Sequence, residues 1–233
     1  MINYPPSRPE ASPLIFPKKT PDAPFILGYR PDNPPNLLML VGKMATGKTT
    51  LSRSLTKEGY EVVSSSGCIA EIIGFEPNPL NKLQFMKEAQ SLLDSKDGFK
   101  TLADTFSRRI LEIHKIRENA KLIIDGVRHV RTTQRLQQAF SNLYILYIQT
   151  PIALANRNYL KRNGVLNPAG EDQGDIHDRL GQFRAERSFS TERDIPSIGR
   201  LANARVANRG NEEDFHTLVK DWLKIGPGTH HSE

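Results

Sequence analysis

The stretch LLMLVGKMATGKTTLSRSL, residues 37–55, decides the fold of this 233-residue chain. Within it, residues 42–49 match the pattern G-x-x-x-x-G-K-[ST], between an apolar run and a helix-forming segment. A strand, a glycine-rich loop and a helix in this order form a phosphate-binding loop, or P-loop. The glycines let the backbone close around phosphates, and the N–H groups at the helix start attract the anion. The stretch therefore predicts binding of a nucleoside triphosphate.

Two side chains of this loop have predicted roles of their own. Lys48 is expected to reach the β- and γ-phosphates, and the hydroxyl of Thr49 is expected to ligate Mg²⁺. The expected ligands are thus ATP and Mg²⁺. The predicted nucleotide-binding residues of the loop are Gly42, Lys43, Met44, Ala45, Thr46, Gly47, Lys48, Thr49 and Thr50.

Composition narrows the class of protein further. No apolar run approaches the roughly 18 residues that a membrane span needs, and the N-terminus lacks the pattern of a secretory signal. The single cysteine, Cys68, excludes an internal disulfide and suits a reducing compartment, so a cytoplasmic location without membrane contact is expected. The net charge of +6 fits either nucleic acid or a site built for polyphosphate.

Proline content divides the chain. Residues 1–36 hold ten of the sixteen prolines, which predicts an extended, largely irregular arm. Residues 25–29 are apolar enough to anchor that arm on the domain. A P-loop domain is expected over residues 37–225, followed by a short tail at 226–233.

Beyond residue 37, strand and helix patterns alternate, which predicts a three-layer α/β fold with a parallel five-stranded sheet. Strands are predicted at 37–41, 60–64, 121–125, 143–149 and 204–207. Helices are predicted at about 48–58, 80–95, 100–118, 130–140, 151–162, 173–188 and 211–224.

A carboxylate ends the third predicted strand. Asp125 follows the buried run at 122–124, and the carboxyl edge of a parallel sheet is where ligands bind. We expect Asp125 to hold Mg²⁺ through water; the alternative is a strand-end aspartate that caps the next helix. Arg128, three residues on, is expected to hold the phosphate of an acceptor, or else to form a surface salt bridge.

Small hydroxyl residues end the second predicted strand on the acceptor side of the cleft. Ser64, Ser65 and Ser66 could bind a sugar or phosphate, or cap the helix that follows. The sequence leaves these two interpretations open.

Arginines concentrate after residue 156, on two predicted helices joined by a segment rich in Gly, Asn, Asp and Pro at 163–175. Two basic helix faces around a mobile loop predict a helical lid over about residues 157–190, whose arginines neutralise the transferring phosphoryl group. The alternative is a solvated face paired with nearby carboxylates. The arginines expected to take part in catalysis, with Lys48 and Asp125, are Arg157, Arg162, Arg184 and Arg187.

Asn208, Arg209 and Gly210 follow the last predicted strand, and Asn211 opens the final predicted helix. In P-loop kinases this turn can pack against the adenine base, so these three residues are predicted to bind the nucleotide. Asn211 is also a candidate N-cap.

With these motifs placed, the chain resembles nucleoside monophosphate kinase-like P-loop proteins, in particular the branch of dephospho-CoA kinase and archaeal adenylate/cytidylate kinase-like proteins. The resemblance covers residues 37–225 and lies in the P-loop, in residues 124–128 (Ile-Asp-Gly-Val-Arg) and in residues 201–211. The chain departs from the family after the second strand, where Ser66, Gly67 and Cys68 stand instead of an acidic residue and an arginine, and at Asn203, where the family has Asp.

The resemblance implies an ATP-dependent kinase that acts on a nucleoside monophosphate or related small acceptor. A polynucleotide kinase or nucleic-acid-binding P-loop protein is the alternative, although no aromatic–basic stacking pattern supports it. A GTPase is excluded, because its Asp-x-x-Gly and Asn-Lys-x-Asp motifs are missing at the required places. Oligomeric state and acceptor identity stay open at this stage.

Overall fold

Six strands form one sheet in the computed structural model, which describes residues 23–78, 80–165, 173–188, 192, 194–209 and 211–225. The strands are β1 (Phe25–Gly28), β2 (Leu37–Val41), β3 (Tyr60–Ser64), β4 (Lys121–Asp125), β5 (Leu143–Gln149) and β6 (Ala204–Ala207). The five predicted strands are confirmed at their predicted bounds.

Helices separate the strands after β2. They are α1 (Lys48–Thr56), α2 (Ser65–Ile73), α3 (Lys82–Asp94), α4 (Gly98–Ile116), α5 (Val130–Ala139), α6 (Ile152–Arg162), α7 (Gln173–Arg187), α8 (Ile195–Leu201) and α9 (Glu212–Trp222). The sequence did not predict α8, whereas α2 is the helix that was expected to follow the serines after β3. None of the helices in the described part of the chain is both long and apolar enough to cross a membrane.

The strand order is β1-β6-β5-β2-β4-β3, and every neighbouring pair is parallel except β1 and β6. The expected five-stranded sheet is therefore corrected to six strands, since β1 adds an antiparallel edge. This edge position reconciles a strand with the proline-rich arm, because proline is tolerated beside edge strands. Residues 25–29, expected to anchor the arm, thus pair with the sheet through β1.

Alternate residues of β2 belong to two different cores, which makes the fold three-layered. Leu37, Met39 and Val41 pack with the helices on one face of the sheet, whereas Leu38 and Leu40 pack with α1 and α9 on the other. All five are at most 1% exposed. A strand buried on both faces needs a continuous apolar run, and burial of each large side chain stabilises the fold by about 1.5–3 kcal/mol.

The order places the carboxyl ends of β2, β4 and β3 side by side. Leu40 pairs with Asp125, and Asp125 pairs with Ser64, so the P-loop after β2 lies next to Asp125 and close to the start of α2. This sheet edge is where all the motifs of the sequence converge.

Candidate nucleotide-binding and phosphoryl-transfer site

Close packing fixes the glycines of the P-loop. A side chain on Gly42 would place its Cβ 2.5 Å from the carbonyl oxygen of Ile148. Gly47 adopts a left-handed φ of +94°, and a Cβ there would lie 2.6 Å from Nδ2 of Asn208. Both positions therefore require glycine, as the sequence pattern demands.

Three side chains from outside the loop hold its carbonyl oxygens. Asn208 Nδ2 and Thr150 Oγ1 donate to the oxygen of Thr46 at 2.9 and 3.1 Å, and Asn158 Nδ2 donates to the oxygen of Ala45 at 3.1 Å. Ala45 itself has a positive φ of 62°. The surrounding protein thus fixes the shape of the loop through its carbonyl oxygens.

The start of α1 offers uncapped N–H groups. Its N-cap residue is Gly47, which has no side chain, and no acidic residue occurs in its first turn. By contrast, Ser64 caps α2 and Asn211 caps α9 through side-chain oxygens. The first N–H groups of a helix lack partners within it, so α1 presents donors and the positive end of its dipole to a phosphate.

The ammonium group of Lys48 lies inside the loop. Its Nζ donates to the carbonyl oxygens of Gly42 and Lys43 at 2.5 and 2.8 Å. Burial, with a further contribution from the positive charge of Arg128, lowers the pKa of Lys48 to about 8. The negative charges of Asp125 and Glu192 act in the opposite direction, so all four charged groups are close enough to interact.

Asp125 has the environment of a metal-binding carboxylate. It ends β4 beside the P-loop, and its Oδ1 is buried without a hydrogen-bond partner in the described part of the chain. It does not cap the next helix in the described structure, since α5 begins after His129 without a side-chain cap. An unpartnered buried carboxylate oxygen beside the P-loop fits a hydrated Mg²⁺, to which Thr49 would contribute its hydroxyl.

The described residues contain no group of three or more His, Cys, Asp or Glu side chains that could hold a metal ion. Mg²⁺ commonly binds through one or two carboxylates together with phosphate oxygens and water, so Asp125 and Thr49 would suffice only with a nucleotide present.

Arg128 forms an ion pair, as the alternative interpretation of the sequence expected, but its partner is buried instead of lying at the surface. Its NH1 donates to Oε1 of Glu192, and Oε2 of the same carboxylate accepts a hydrogen bond from the backbone N–H of Met44 at 3.2 Å. Glu192 is 1% exposed, whereas the side chain of Arg128 is 33% exposed. Glu192 therefore joins the loop after β4 to the P-loop.

The serines after β3 contribute to helix capping. Ser64 Oγ accepts from the N–H of Gly67 at 3.1 Å and lies 3.3 Å from Ser66 Oγ. Of the two interpretations left open by the sequence, capping by Ser64 is confirmed. Substrate binding by Ser64, Ser65 and Ser66 stays a prediction.

The arginines of the predicted lid lie in different surroundings. Arg157, Arg162 and Arg184 are exposed, although the charge of Arg162 still acts on Lys48. The guanidinium of Arg187 lies 5.3 Å from the ring centroid of Phe183. Residues 166–172, the centre of the predicted mobile loop, are outside the described residues.

Aromatic packing connects α6 and α7 to the P-loop. The rings of Tyr159 and Phe183 stack with their centroids 4.4 Å apart, and Met44 and Ala45 pack against the same cluster. The helices that carry the predicted lid arginines therefore contact the tip of the loop directly.

The residues of the turn after β6 contact different parts of the fold. Asn208 is 7% exposed and contacts the P-loop through Thr46, so its predicted contribution to nucleotide binding would act through the loop. The guanidinium of Arg209 lies 5.2 Å from the ring centroid of Phe25 in β1. Gly210 is outside the described residues, and Asn211 is confirmed as the N-cap of α9.

Three residues of this site were missed by sequence reasoning: Thr150, Asn158 and Glu192. Thr150 and Asn158 follow β5, at the same sheet edge as the P-loop, and that position could have indicated them. Glu192 lies 148 residues from Met44, and nothing local to it indicates its partner.

Comparison with known proteins gives weak likenesses. No family profile matches the chain. A protein of Archaeoglobus fulgidus described as a UPF0200/UPF0201 protein is 23% identical over 188 residues, which cover 80% of this chain and 54% of that one. The chain thus spans about half the length of this curated relative.

Two solved structures are similar at low identity. Shikimate kinase from Acinetobacter baumannii in complex with shikimate is 19% identical with a TM-score of 0.46, covering 83% of this chain and 93% of that one. Dephospho-CoA kinase from Campylobacter jejuni is 16% identical with a TM-score of 0.42, covering 82% of this chain and 96% of that one. The three-layer P-loop fold of the chain is evident from its own loop, helix and sheet.

Proposed function

We propose that the chain is a kinase that transfers the γ-phosphoryl group of ATP to a small, nucleotide-like acceptor with the help of Mg²⁺. The observation that carries this proposal is the P-loop itself: an uncapped α1, Lys48 within the loop, and the unpartnered oxygen of Asp125 beside it. These three features are the groups that phosphoryl transfer from a nucleotide requires.

Transfer forms a bond between an acceptor oxygen and the γ-phosphorus and breaks the bond to the β,γ-bridging oxygen, which releases ADP. The N–H groups of α1 would bind the phosphates, and Lys48 would exchange its two carbonyl contacts for phosphate oxygens. Bound Mg²⁺ would neutralise part of the β- and γ-phosphate charge, held through Thr49 and Asp125. Catalysis would then consist of positioning and electrostatic stabilisation.

The acceptor side of the proposal uses the serines after β3 and Arg128. Arg128 is one-third exposed and close to Lys48, so it would lie where the phosphate of the acceptor meets the γ-phosphate of ATP. The arginines of α6 and α7 would close on the phosphoryl group, because their helices pack against Met44 and Ala45. Positive side chains therefore outnumber the two carboxylates of the cleft, Asp125 and Glu192. This excess suits an acceptor that carries negative charge, as a nucleotide does.

The experiment is a screen of Mg²⁺-dependent ATP consumption against nucleosides, nucleoside monophosphates, dephospho-CoA and a 5′-hydroxyl oligonucleotide. One small acceptor should stimulate turnover, and Lys48→Ala should abolish it, because the ammonium group no longer contacts the phosphates. Circular dichroism should show the variant folded, since Lys48 is not part of either core.

Wild-type turnover by a folded Lys48→Ala protein would contradict the proposal. Stimulation by the oligonucleotide alone would replace the small acceptor with a nucleic acid.

A further inference from the structure

Glu192 is a buried carboxylate for which neither the P-loop pattern nor the predicted lid accounts. Its side chain is 1% exposed, and both oxygens are used: Oε1 by Arg128 and Oε2 by the backbone N–H of Met44. A buried charge is costly unless it is paired and hydrogen-bonded. Its two partners therefore fix the position of Glu192 tightly.

The same contacts leave most of Arg128 available. A guanidinium has five N–H donors in a planar fork, and the contact to Glu192 uses NH1. No other hydrogen-bond partner of Arg128 is found among the described residues, and a third of its side chain is exposed. Glu192 thus holds Arg128 through NH1, while the remaining donors of the guanidinium have no hydrogen-bond partner among the described residues.

Arg128 lies beside the P-loop, because the carboxylate that pairs with it also accepts from the N–H of Met44 in that loop. Its positive charge also contributes to the lowered pKa of Lys48. Lys48 is the residue that reaches the terminal phosphates in a P-loop. Arg128 is therefore close enough to the same phosphates to bind them in the forked geometry that arginine favours.

Glu192 uses one N–H group of the loop and leaves those at the start of α1 uncapped. These begin at Lys48, whereas Glu192 accepts from Met44, four residues earlier. The contact of Glu192 can persist when phosphates occupy the start of the helix.

We propose that Glu192 is a positioning residue: it holds Arg128 at the entrance of the P-loop, so that the free donors of the guanidinium bind the terminal phosphate of the nucleotide. This inference rests on the proposed function, because it assumes a nucleoside triphosphate in the loop. It assigns to Glu192 an effect on the γ-phosphate that operates through Arg128.

The test is a double-mutant cycle on binding, which needs no acceptor. Calorimetry would measure the Kd of Mg²⁺–ADP and of Mg²⁺ with the non-hydrolysable β,γ-imido analogue of ATP. The proteins are wild type, Glu192→Gln, Arg128→Ala and the double variant. Glutamine keeps the shape of the side chain and its acceptor for Met44 but loses the charge that holds Arg128.

Each single variant should lose the preference for triphosphate over diphosphate by about tenfold, while the Kd of Mg²⁺–ADP changes less than about twofold. The double variant should be no worse than the weaker single one, because both changes remove the same contact. Asp194→Asn is the matched control. This neighbouring carboxylate accepts from the N–H of Val130 at 3.3 Å and should leave both affinities unchanged.

Arg128→Lys gives a second route if Glu192→Gln does not fold. Lysine keeps the charge but not the fork, so this variant should also lose the preference for triphosphate. Its retention of that preference would overturn the inference.

Three further outcomes would overturn it. Tighter triphosphate binding by Glu192→Gln would mean that the carboxylate repels the γ-phosphate. Equal losses for ADP and the triphosphate would mean that Glu192 only supports the loop. Additive losses in the double variant would mean that Glu192 acts independently of Arg128. If the wild-type protein binds neither nucleotide, the proposed function is wrong as well. If it binds both and the variants give one of the three contrary results, only the role of Glu192 is wrong.

Discussion

At the scale of single residues, the chemistry of Lys48 depends on its surroundings more than on its type. Two backbone carbonyls accept its hydrogen bonds, but burial and the nearby Arg128 lower its pKa to about 8. A phosphate in the loop adds negative charge and would raise the pKa again. Proton uptake and nucleotide binding should therefore be linked at this residue.

Nucleotide affinity should fall as the pH rises above about 8. Below that pH, Lys48 already carries its proton in the free protein, so affinity should be nearly constant. Above it, binding must be accompanied by protonation, and Kd should rise by up to about tenfold per pH unit. Calorimetric titration with Mg²⁺–ADP between pH 7 and 9.5 would measure this, with Lys48→Met as the control whose profile is flat. A flat wild-type profile would contradict the linkage.

Asp125→Asn should weaken the dependence on Mg²⁺ more than the binding of nucleotide itself. The charge of Asp125 acts on the metal, whereas the N–H groups of α1 supply most phosphate contacts. The Mg²⁺ concentration that gives half-maximal turnover should rise several-fold in the variant, by analogy with the loss of any charged ligand. If the two Mg²⁺ titrations superimpose, Asp125 has no role in metal binding.

At the scale of elements, the pattern of apolar residues and the turn residues around them were sufficient to predict the strands inside the sheet. Continuous apolar runs such as residues 37–41 and 143–148 have one stable location, a strand buried on both faces. The helix α2 was expected after the serines, but its start was not identified, because its first residues, Ser65, Ser66 and Gly67, are typical of a turn. β1 was missed because prolines surround it, and it pairs on one side only.

The candidate site was predictable where local sequence defines it. The P-loop and Asp125 each follow a strand, so a parallel sheet brings them to one edge. Glu192 has no such signal, because its contact with Arg128 spans 64 residues and depends on how α8 packs. The partner of Asn158 is also distant in sequence, a carbonyl 113 residues away, although the position of Asn158 after β5 could have indicated it.

The predicted lid on α6 and α7 is testable one arginine at a time. Replacement of a lid arginine by Ala should lower kcat by at least about tenfold, or 1.4 kcal/mol, with nucleotide Kd changed less. Arg162 should show the effect most clearly among Arg157, Arg162, Arg184 and Arg187, because its charge already acts on Lys48. Steady-state kinetics with the acceptor found in the screen would measure it.

Arg53→Ala is the control for charge alone. Arg53 is exposed on α1, where a solvated arginine contributes little. Four lid variants with unchanged kcat would exclude an arginine lid, and the basic helices would then need another partner.

At the scale of the whole molecule, the segment between β1 and β2 connects distant parts of the fold. Tyr144 Oη donates to the carbonyl oxygen of Tyr29 and accepts from Trp222 Nε1 at 3.0 Å. Tyr60 Oη donates to the carbonyl oxygen of Pro35 at 2.8 Å. The second core, between the sheet and α9, is thus bounded by polar contacts to the N-terminal segment.

Tyr144→Phe should destabilise the fold although it removes one atom. Tyr144 is 5% exposed, so the loss leaves the carbonyl of Tyr29 and the indole N–H of Trp222 without this partner. The free energy of unfolding should fall by about 1–3 kcal/mol. Thermal unfolding should show a lower midpoint, by about 2–4 °C per kcal/mol for a chain of this size.

Tyr147→Phe in the same strand is the matched control, because no hydrogen bond of its hydroxyl is found in the part of the chain that the structure describes. Equal unfolding midpoints for wild type and Tyr144→Phe would show that the hydrogen bonds of the Tyr144 hydroxyl contribute nothing to stability.

The antiparallel pairing of β1 with β6 has a consequence for the handling of this protein. Without β1, the N–H and C=O groups of β6 along that side would be unpaired, and an exposed strand edge can recruit strands of other chains. A shortened version that begins at Leu37 would keep every motif of the nucleotide site. It should nevertheless aggregate during expression, so a soluble fragment for crystallisation or screening should retain Phe25–Gly28.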